Sequence, residues 1–182
     1  MMEGRTKLAD VAAVLRDMRE AGIIGEYAVG GASAVAFYSE PLATKDLDIF
    51  FLFDPPQTGA ILSLDPIYKY CRERGYTYNH EFISIGGWLV QFVEASHDIL
   101  WRDAVANALT FSFDGQDLKV LPPEHLAAMW AVVARPKDIL KIQHFADNEV
   151  INEGKLRQVL NKFDLVDVWK KIQGGLPDEL KF

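Results

Sequence analysis

The sequence predicts an α+β fold in which a small mixed β-sheet is flanked by helices and followed by a C-terminal helical region. In residues 1–121, stretches of helical periodicity alternate with short apolar runs that end at Gly or Pro. From Pro122 onward the pattern is helical throughout. We therefore expect an α/β core over residues 1–121 and a helical region over residues 122–182 that packs on it.

The chain opens with a helix, a strand and a second helix. Apolar residues at helical spacing predict an amphipathic first helix that stops at Gly22. A short buried strand is predicted over residues 26–29, and the pair Gly30-Gly31 ends it. The small residues of 32–39 favour a helix that packs closely on a sheet, and Pro41 terminates this helix.

The middle of the chain predicts further strands and two hairpins. The apolar run DLDIFFLF at 46–53 is typical of a buried strand, and a helix is predicted over 61–74. The next elements are a hairpin of 82–85 and 88–93 around Gly86-Gly87, a helix over 98–107 capped by Ser96, and a second hairpin of 109–113 and 118–121. The last helices begin at Pro122 or Pro123, at Pro136, after Asn152 and at 165.

Charge and composition narrow the class of function. The net charge of −7 counts against a broad basic surface for nucleic acid, although it leaves room for a small phosphate pocket. The single cysteine, Cys71, cannot form an internal disulfide, which favours a reducing compartment. Residues 1–20 lack the apolar core of a signal peptide, and no apolar run approaches the roughly 20 residues of a membrane span. We expect a cytoplasmic protein with no membrane partner.

Two aspartates stand two residues apart at the start of the strand 46–53. Side chains at this spacing point to the same face of a strand, with their Cα atoms roughly 6–7 Å apart. Asp46 and Asp48 can therefore converge on one Mg²⁺ or Mn²⁺ ion, while Leu47 points into the core. The alternative is that Asp46 only begins the strand and Asp48 is solvated at its edge.

The glycine pair precedes these aspartates by a short helix and a return loop. Glycine lets backbone N–H groups approach a ligand closely, and the helix N-terminus behind Gly30-Gly31 favours an anion. Ser33 lies in the first helical turn and can offer its hydroxyl to a phosphate. The alternative is a tight turn with close helix–sheet packing. Phosphates at the helix start and a metal on the aspartates would form the layout that nucleotidyl transfer needs.

These motifs resemble a known superfamily. Residues 29–31 (VGG) and 44–49 (TKDLDI) are similar to the signature of DNA-polymerase-β-like nucleotidyltransferases, above all the small bacterial abortive-infection (AbiEii-like) and minimal nucleotidyltransferases. In these families a Thr or Ser tends to precede the first aspartate, as Thr44 does here. Residues 121–126 (LPPEHL) and 135–138 (RPKD) are similar to segments of their helical region. The likeness covers residues 24 to 145, most of the chain.

The resemblance implies a fold, a reaction and a set of site residues. The fold would be the nucleotidyltransferase fold, and the reaction a Mg²⁺- or Mn²⁺-dependent transfer of an NMP group from an NTP to an unknown protein, RNA or small-molecule acceptor. Some relatives are toxins, so a protein partner of antitoxin type is also implied. The catalytic positions would be those of Asp46, Asp48 and Gln91, and Asp46 and Asp48 would hold the metal. The nucleotide would contact Gly30, Gly31, Ser33, Thr44 and Lys137.

Two features depart from these expectations or leave them open, the third carboxylate and the basic residues. The family places a third carboxylate on a later strand, where Gln91 stands in this chain. Strand alternation turns Glu94, the nearby carboxylate, to the opposite face of that strand unless a bulge intervenes. Glutamine cannot take up a proton as a base, so the alternative function is a degenerate nucleotide-binding or protein-interaction module. The basic residues Arg135, Lys137 and Lys141 either reach the nucleotide or form a solvated helix face in which Asp138 pairs with Lys141.

Overall fold

The structure is a computed structural model that describes residues 7–54, 56, 63–113 and 115–182. It confirms the predicted α+β class. Within the described residues, seven strands form one mixed sheet in the order β3-β4-β5-β2-β1-β7-β6. These strands are β1 Tyr27–Gly30, β2 Asp46–Phe51, β3 Thr77–Asn79, β4 Phe82–Ile85, β5 Trp88–Glu94, β6 Leu109–Phe113 and β7 Gln116–Val120.

The middle of the sheet positions the two aspartates. Strand β2 lies between β1, to which it is antiparallel, and β5, to which it is parallel. Leu47, Ile49 and Phe51 are fully buried because they point into the core, as alternation along the strand requires. The intervening residues of β2, including Asp46 and Asp48, lie on the other face of the sheet.

Seven α-helices accompany the sheet in the described part of the chain. They are α1 Leu8–Glu20, α2 Asp65–Glu73, α3 Ile99–Ala106, α4 Pro123–Val133, α5 Pro136–Asp147, α6 Glu153–Lys162 and α7 Val166–Ile172. Helix α4 contacts α3, α5, α6 and α7, and its residues 123–131 are all buried. Trp130 of α4 and Phe145 of α5 pack with ring centroids 5.2 Å apart. Helix α4 is therefore the centre of the C-terminal helical region.

Several predicted element bounds were wrong. The helix expected over 32–39 is a 3₁₀ helix, Ser33–Phe37. The helix expected over 61–74 is Asp65–Glu73, and residues 61–62 lie outside the described part of the chain. Strand β2 ends at Phe51, two residues earlier than expected, where its partner β1 begins at Tyr27; beyond it the Leu52 N–H still donates to the Glu26 carbonyl at 2.8 Å.

The predicted N-cap of α3 was also wrong, and one strand was not predicted. Asp98, and not Ser96, is the N-cap: its carboxylate accepts from the backbone N–H groups of Leu100 at 2.8 Å and Trp101 at 3.1 Å. Strand β3 was not predicted because its three residues are all exposed and give no apolar pattern. In the part of the chain that the structure describes, none of the helices is both long and apolar enough to cross a lipid bilayer.

Candidate functional site

A cleft of about 650 Å³ opens on the face of the sheet that carries Asp46 and Asp48. Six of the eight residues predicted for the site line it, namely Gly31, Thr44, Asp46, Asp48, Gln91 and Lys137. The strand register explains how two of them meet, because Asp48 stands opposite Gln91 on β5. On its other side Asp48 stands opposite Gly30 on β1. Asp46 is exposed at the start of β2, whereas Asp48 is half-buried.

The glycine turn packs directly against Asp48. Gly31 has a φ of +60°, and a Cβ at this position would overlap the Oδ2 of Asp48. A Cβ on Gly30 would overlap the ring of Phe50. The turn therefore needs glycine at both positions, for left-handed backbone at Gly31 and for close packing at each. This packing brings the backbone of Gly31 to the aspartates.

Of the two predicted hydroxyl residues, Thr44 lines the cleft and Ser33 does not. Ser33 is buried, and its hydroxyl donates to the carbonyl of Gly30 at 3.1 Å. It does not line the cleft, so its local role is to hold the glycine turn. Thr44 does line the cleft, and its Oγ1 accepts from the backbone N–H of Asp46 at 3.2 Å. Thr44 thus fixes the backbone at the start of β2.

The segment that begins helix α5 brings three cations to the cleft. Arg135 precedes α5, and Lys137 and Lys141 lie within its first turns; all three line the cleft. Asp138 is fully buried between two of them, with its Oδ2 2.6 Å from Arg135 Nε and its Oδ1 2.7 Å from Lys141 Nζ. Lys141 also lies over the ring of Trp130, 4.7 Å from the centroid. The sequence left two alternatives open for these basic residues. Features of both are present in the structure, because Asp138 pairs with Lys141 and the three cations also line the cleft that contains the aspartates.

The charges around the cleft act on the pKa of Asp48 in opposite directions. Burial raises the pKa of Asp48, the negative charge of Asp46 raises it further, and Lys141, Lys137 and Arg135 act in the opposite direction. The pKa of Asp138 is lowered: its burial alone would raise the value, but hydrogen bonds from Arg135 and Lys141 outweigh that effect. Asp46 and Asp48 thus form a repulsive acidic pair, and a bound cation would relieve the repulsion.

The donor set suits a metal that is shared with a ligand. Among the residues that the structure describes, no group of three or more His, Cys, Asp or Glu side chains could enclose a metal ion. Two carboxylates on one face of β2 are nevertheless the usual protein contribution to Mg²⁺ bound together with phosphates, since Mg²⁺ keeps waters and takes phosphate oxygens as its other ligands. Asp46 and Asp48 therefore fit a divalent metal whose other ligands are waters and phosphate oxygens.

The third position of the site is Gln91. Gln91 lines the cleft beside Asp48, whereas Glu94 is turned to the other face of β5. The Oε1 of Glu94 accepts from the backbone N–H of Ser96 at 2.9 Å and from the Ser96 hydroxyl. Glu94 is therefore occupied in the loop before α3 and does not reach the acidic pair.

Sequence reasoning missed the apolar part of the cleft. Phe50, Phe82, Val93 and Trp101 line one end of it, and Phe50 and Trp101 pack edge to face with centroids 5.4 Å apart. The helix α4 contributes Trp130, together with other apolar side chains. The one local signal for this apolar part was that Phe50 follows Asp46 and Asp48 at a spacing of two residues, which places it on the same face of β2. The other contributions depend on long-range packing of β4, α3 and α4.

Comparison with known proteins identifies the fold. No protein-family model matches the chain, and no curated protein matches it significantly. The crystal structure of an antigenic nucleotidyltransferase-like protein from Paracoccidioides brasiliensis is similar, with a TM-score of 0.55 and 14% identity over 94% of each chain. The chain therefore has a nucleotidyltransferase fold.

Two weaker structural similarities are to ANT(2'')-Ia. Its crystal structure in complex with adenylyl-2''-tobramycin gives a TM-score of 0.48 and 12% identity, over 85% of this chain and 97% of that chain. The solution structure of the same antibiotic-resistance factor gives a TM-score of 0.47 and 13% identity, over 85% of this chain and 86% of that one.

Proposed function

We propose that the protein binds a nucleoside triphosphate with Mg²⁺ or Mn²⁺ in this cleft and transfers the NMP group to an acceptor. One observation carries the proposal: three separate chain segments bring complementary groups to the same cleft. Gly31 offers an accessible backbone, Asp46 and Asp48 offer carboxylates, and the start of α5 offers cations. Phosphates and a divalent metal are the ligands that satisfy all three groups at once.

Each residue has a distinct role in the proposal. Asp46 and Asp48 hold the metal, which when bound neutralises phosphate charge and orients the transferred group. Arg135, Lys137 and Lys141, which line the same cleft, contact the triphosphate. These groups act by positioning and charge neutralisation, which are the main contributions to phosphoryl-transfer catalysis.

The turn and the strand start support these contacts. Gly31 lets the backbone approach the phosphates, and Thr44 fixes the start of β2 through its bond to the Asp46 backbone. Gly30 and Ser33, predicted to contact the nucleotide, serve in this proposal to shape the turn, because the Ser33 hydroxyl is bonded to the Gly30 carbonyl and neither residue lines the cleft.

Calorimetric titration tests the nucleotide site. ATP, GTP, CTP and UTP with Mg²⁺ are titrated into the wild type and into Asp46→Asn/Asp48→Asn. We expect metal-dependent binding of at least one NTP to the wild type and none to the double variant. Asp164→Asn/Asp167→Asn is the matched control, because it removes the same two charges from exposed positions outside the cleft. Absence of NTP binding to folded wild type would refute the proposal.

A degenerate module is the second candidate, and Gln91 is the observation that favours it. A protein of this kind would bind the NTP with the metal but release no pyrophosphate. Pyrophosphate release with the bound NTP, measured over a set of acceptors, separates the two functions. The further identity as an AbiEii-like protein with an antitoxin-type partner is supported only by the sequence motifs at 29–31, 44–49, 121–126 and 135–138.

A further inference from the structure

The cleft offers little that could remove a proton from an acceptor. Its titratable side chains, among the described residues, are those of Asp46, Asp48, Arg135, Lys137 and Lys141. A hydroxyl acceptor must lose its proton during transfer, and a positioned base usually takes it. The candidates are therefore confined to two carboxylates and three cations.

None of these five groups suits the role of base. The two aspartates are the proposed metal ligands. Arginine remains protonated in proteins, and a lysine ammonium has no free electron pair. The Nζ of Lys141 is in addition engaged by the buried carboxylate of Asp138, at 2.7 Å. Glu94, the carboxylate of β5, faces away from the cleft and bonds to Ser96.

Gln91 makes the site less suited to an acceptor that must lose a proton and better suited to an anionic acceptor. Its side chain lies beside Asp48 on the neighbouring strand and lines the cleft. A carboxylate at this position would repel an anionic acceptor, whereas the Gln91 amide can donate a hydrogen bond to one. The position next to the metal ligands is thus suited to an oxygen that already carries a negative charge.

The surroundings of Gln91 define the rest of the acceptor. Phe82 stands opposite Gln91 in the β4–β5 register, and Val93 stands opposite Phe50 in the β2–β5 register. With Trp101 they form an uncharged wall of the cleft. Apolar and aromatic surfaces of this kind bind an apolar or aromatic group.

We propose that the acceptor is an apolar or aromatic molecule whose attacking oxygen is already ionised at neutral pH, either a phosphate monoester or a carboxylate. The proposal rests on the proposed nucleotidyltransferase function. The acceptor oxygen forms a bond to the α-phosphorus of the NTP, and the bond from that phosphorus to the bridging oxygen breaks. Pyrophosphate leaves with the electron pair. No proton is taken from the acceptor, so the step needs no base, and the product is a phosphoanhydride or an acyl phosphate.

Three small aromatic probes test the acceptor class. Phenyl phosphate, benzoate and benzyl alcohol are each incubated with the protein, Mg²⁺ and the α-³²P-labelled form of the NTP that binds in calorimetry. We expect the wild type to label phenyl phosphate or benzoate about 100-fold faster than benzyl alcohol, since general base catalysis is typically worth 10²–10⁴-fold. Hydroxylamine cleaves the acyl phosphate but not the phosphoanhydride, which separates the two anionic classes.

The variant Gln91→Glu supplies the missing base. We expect it to raise the rate with benzyl alcohol about 10-fold or more and to lower the rate with the anionic probes. Gln91→Ala is the control that removes the amide without adding a base, and it should lower anionic transfer without any gain for the alcohol. Circular dichroism and NTP titration establish that both variants are folded.

The outcomes separate this inference from the proposed function. Failure of the wild type to bind any NTP would refute the nucleotidyltransferase proposal itself. If the wild type binds NTP and labels benzyl alcohol as fast as the anionic probes, the acceptor inference is wrong. It is also wrong if a protein that binds NTP labels none of the three.

Discussion

Gly31 and Asp48 depend on each other. Gly31 has left-handed backbone, which costs about 1–2 kcal/mol for a residue with a Cβ, and an added Cβ would also overlap the Asp48 carboxylate. We predict that Gly31→Ala lowers the free energy of unfolding by about 2 kcal/mol or more. The variant should also weaken Mg²⁺-dependent NTP binding, because Asp48 must move. Urea unfolding and calorimetry measure the two effects.

Gly22→Ala is the matched control for this substitution. Gly22 has a φ of +68°, but a Cβ there would meet nothing within 4 Å. Its stability loss therefore measures the backbone strain alone, about 1–2 kcal/mol, and NTP binding should be unchanged. Equal NTP binding by Gly31→Ala and Gly22→Ala would contradict a direct link between the turn and Asp48.

The titration of Asp48 reports on the acidic pair. We predict a pKa for Asp48 above its ordinary value of 3.8, because burial, and next the charge of Asp46, disfavour the ionised form. Asp46→Asn should lower this pKa by removing the neighbouring charge. ¹³C NMR of the Asp48 carboxyl carbon measures its titration in the wild type and in Asp46→Asn. An unchanged midpoint in the variant would show that the two carboxylates do not face each other.

The same shift fixes the direction of two pH effects. In the absence of metal, folded Asp48 binds its proton more tightly than the unfolded chain does. Its contribution to stability is therefore present below the unfolded pKa and is lost as the pH rises through the raised folded pKa. Metal binding has the opposite dependence, because the ionised form is the ligand, so affinity for Mg²⁺ falls as the pH decreases through that pKa.

At the scale of elements, local patterns predicted strand β2 and the β4–β5 hairpin well. The apolar run before Asp54-Pro55-Pro56 and the Gly86-Gly87 turn are strong local signals. The element at 32–39 was harder, because its small residues are compatible with both α and 3₁₀ geometry. The cap of α3 was missed because Ser96 and Asp98 are both good capping residues, and the bond from Ser96 to Glu94 decides between them.

Helix α5 depends on Asp138 at its first turn. This carboxylate is fully buried and bonds to both Arg135 and Lys141, so its removal leaves Lys141 nearly buried without a counter-charge. We predict that Asp138→Asn lowers the free energy of unfolding by about 3 kcal/mol, as for other broken buried pairs. NTP affinity should fall as well, since both cations lose their orientation. Urea unfolding and calorimetry provide the measurements.

Glu153→Gln on α6 is the control for this prediction. Glu153 bonds to Arg157 at 2.8 Å with both side chains about half exposed. Removal of this exposed pair should cost less than about 0.5 kcal/mol and leave NTP binding unchanged. Similar stability losses in the two variants would contradict a special role for the buried carboxylate.

At the scale of the whole molecule, the site is a product of topology. The spacing from the glycine pair to Asp46 is short, so the sequence alone predicted that these segments meet. Strand alternation favoured Gln91 over Glu94 as the residue that faces Asp48, but a bulge would have reversed them, and the strand register decides for Gln91. The approach of α5 could not be derived from spacing, because it depends on how α4 packs against α3 and α5. The net charge of −7 left room for a small basic pocket but could not locate it, and the three cations that line the cleft all come from one short segment, residues 135–141.

The stability of the whole fold should respond to the nucleotide only when the metal is present. A ligand at about 100 times its Kd adds roughly 2.7 kcal/mol to the free energy of unfolding, which for a chain of this length raises Tm by roughly 5–10 °C. We predict this shift for the wild type with Mg²⁺ and the NTP that binds in calorimetry, measured by scanning calorimetry. EDTA should abolish it, and Asp46→Asn/Asp48→Asn should show none. An equal shift in EDTA would mean that the nucleotide binds without the carboxylates, so that the cations of α5 would be sufficient to hold it.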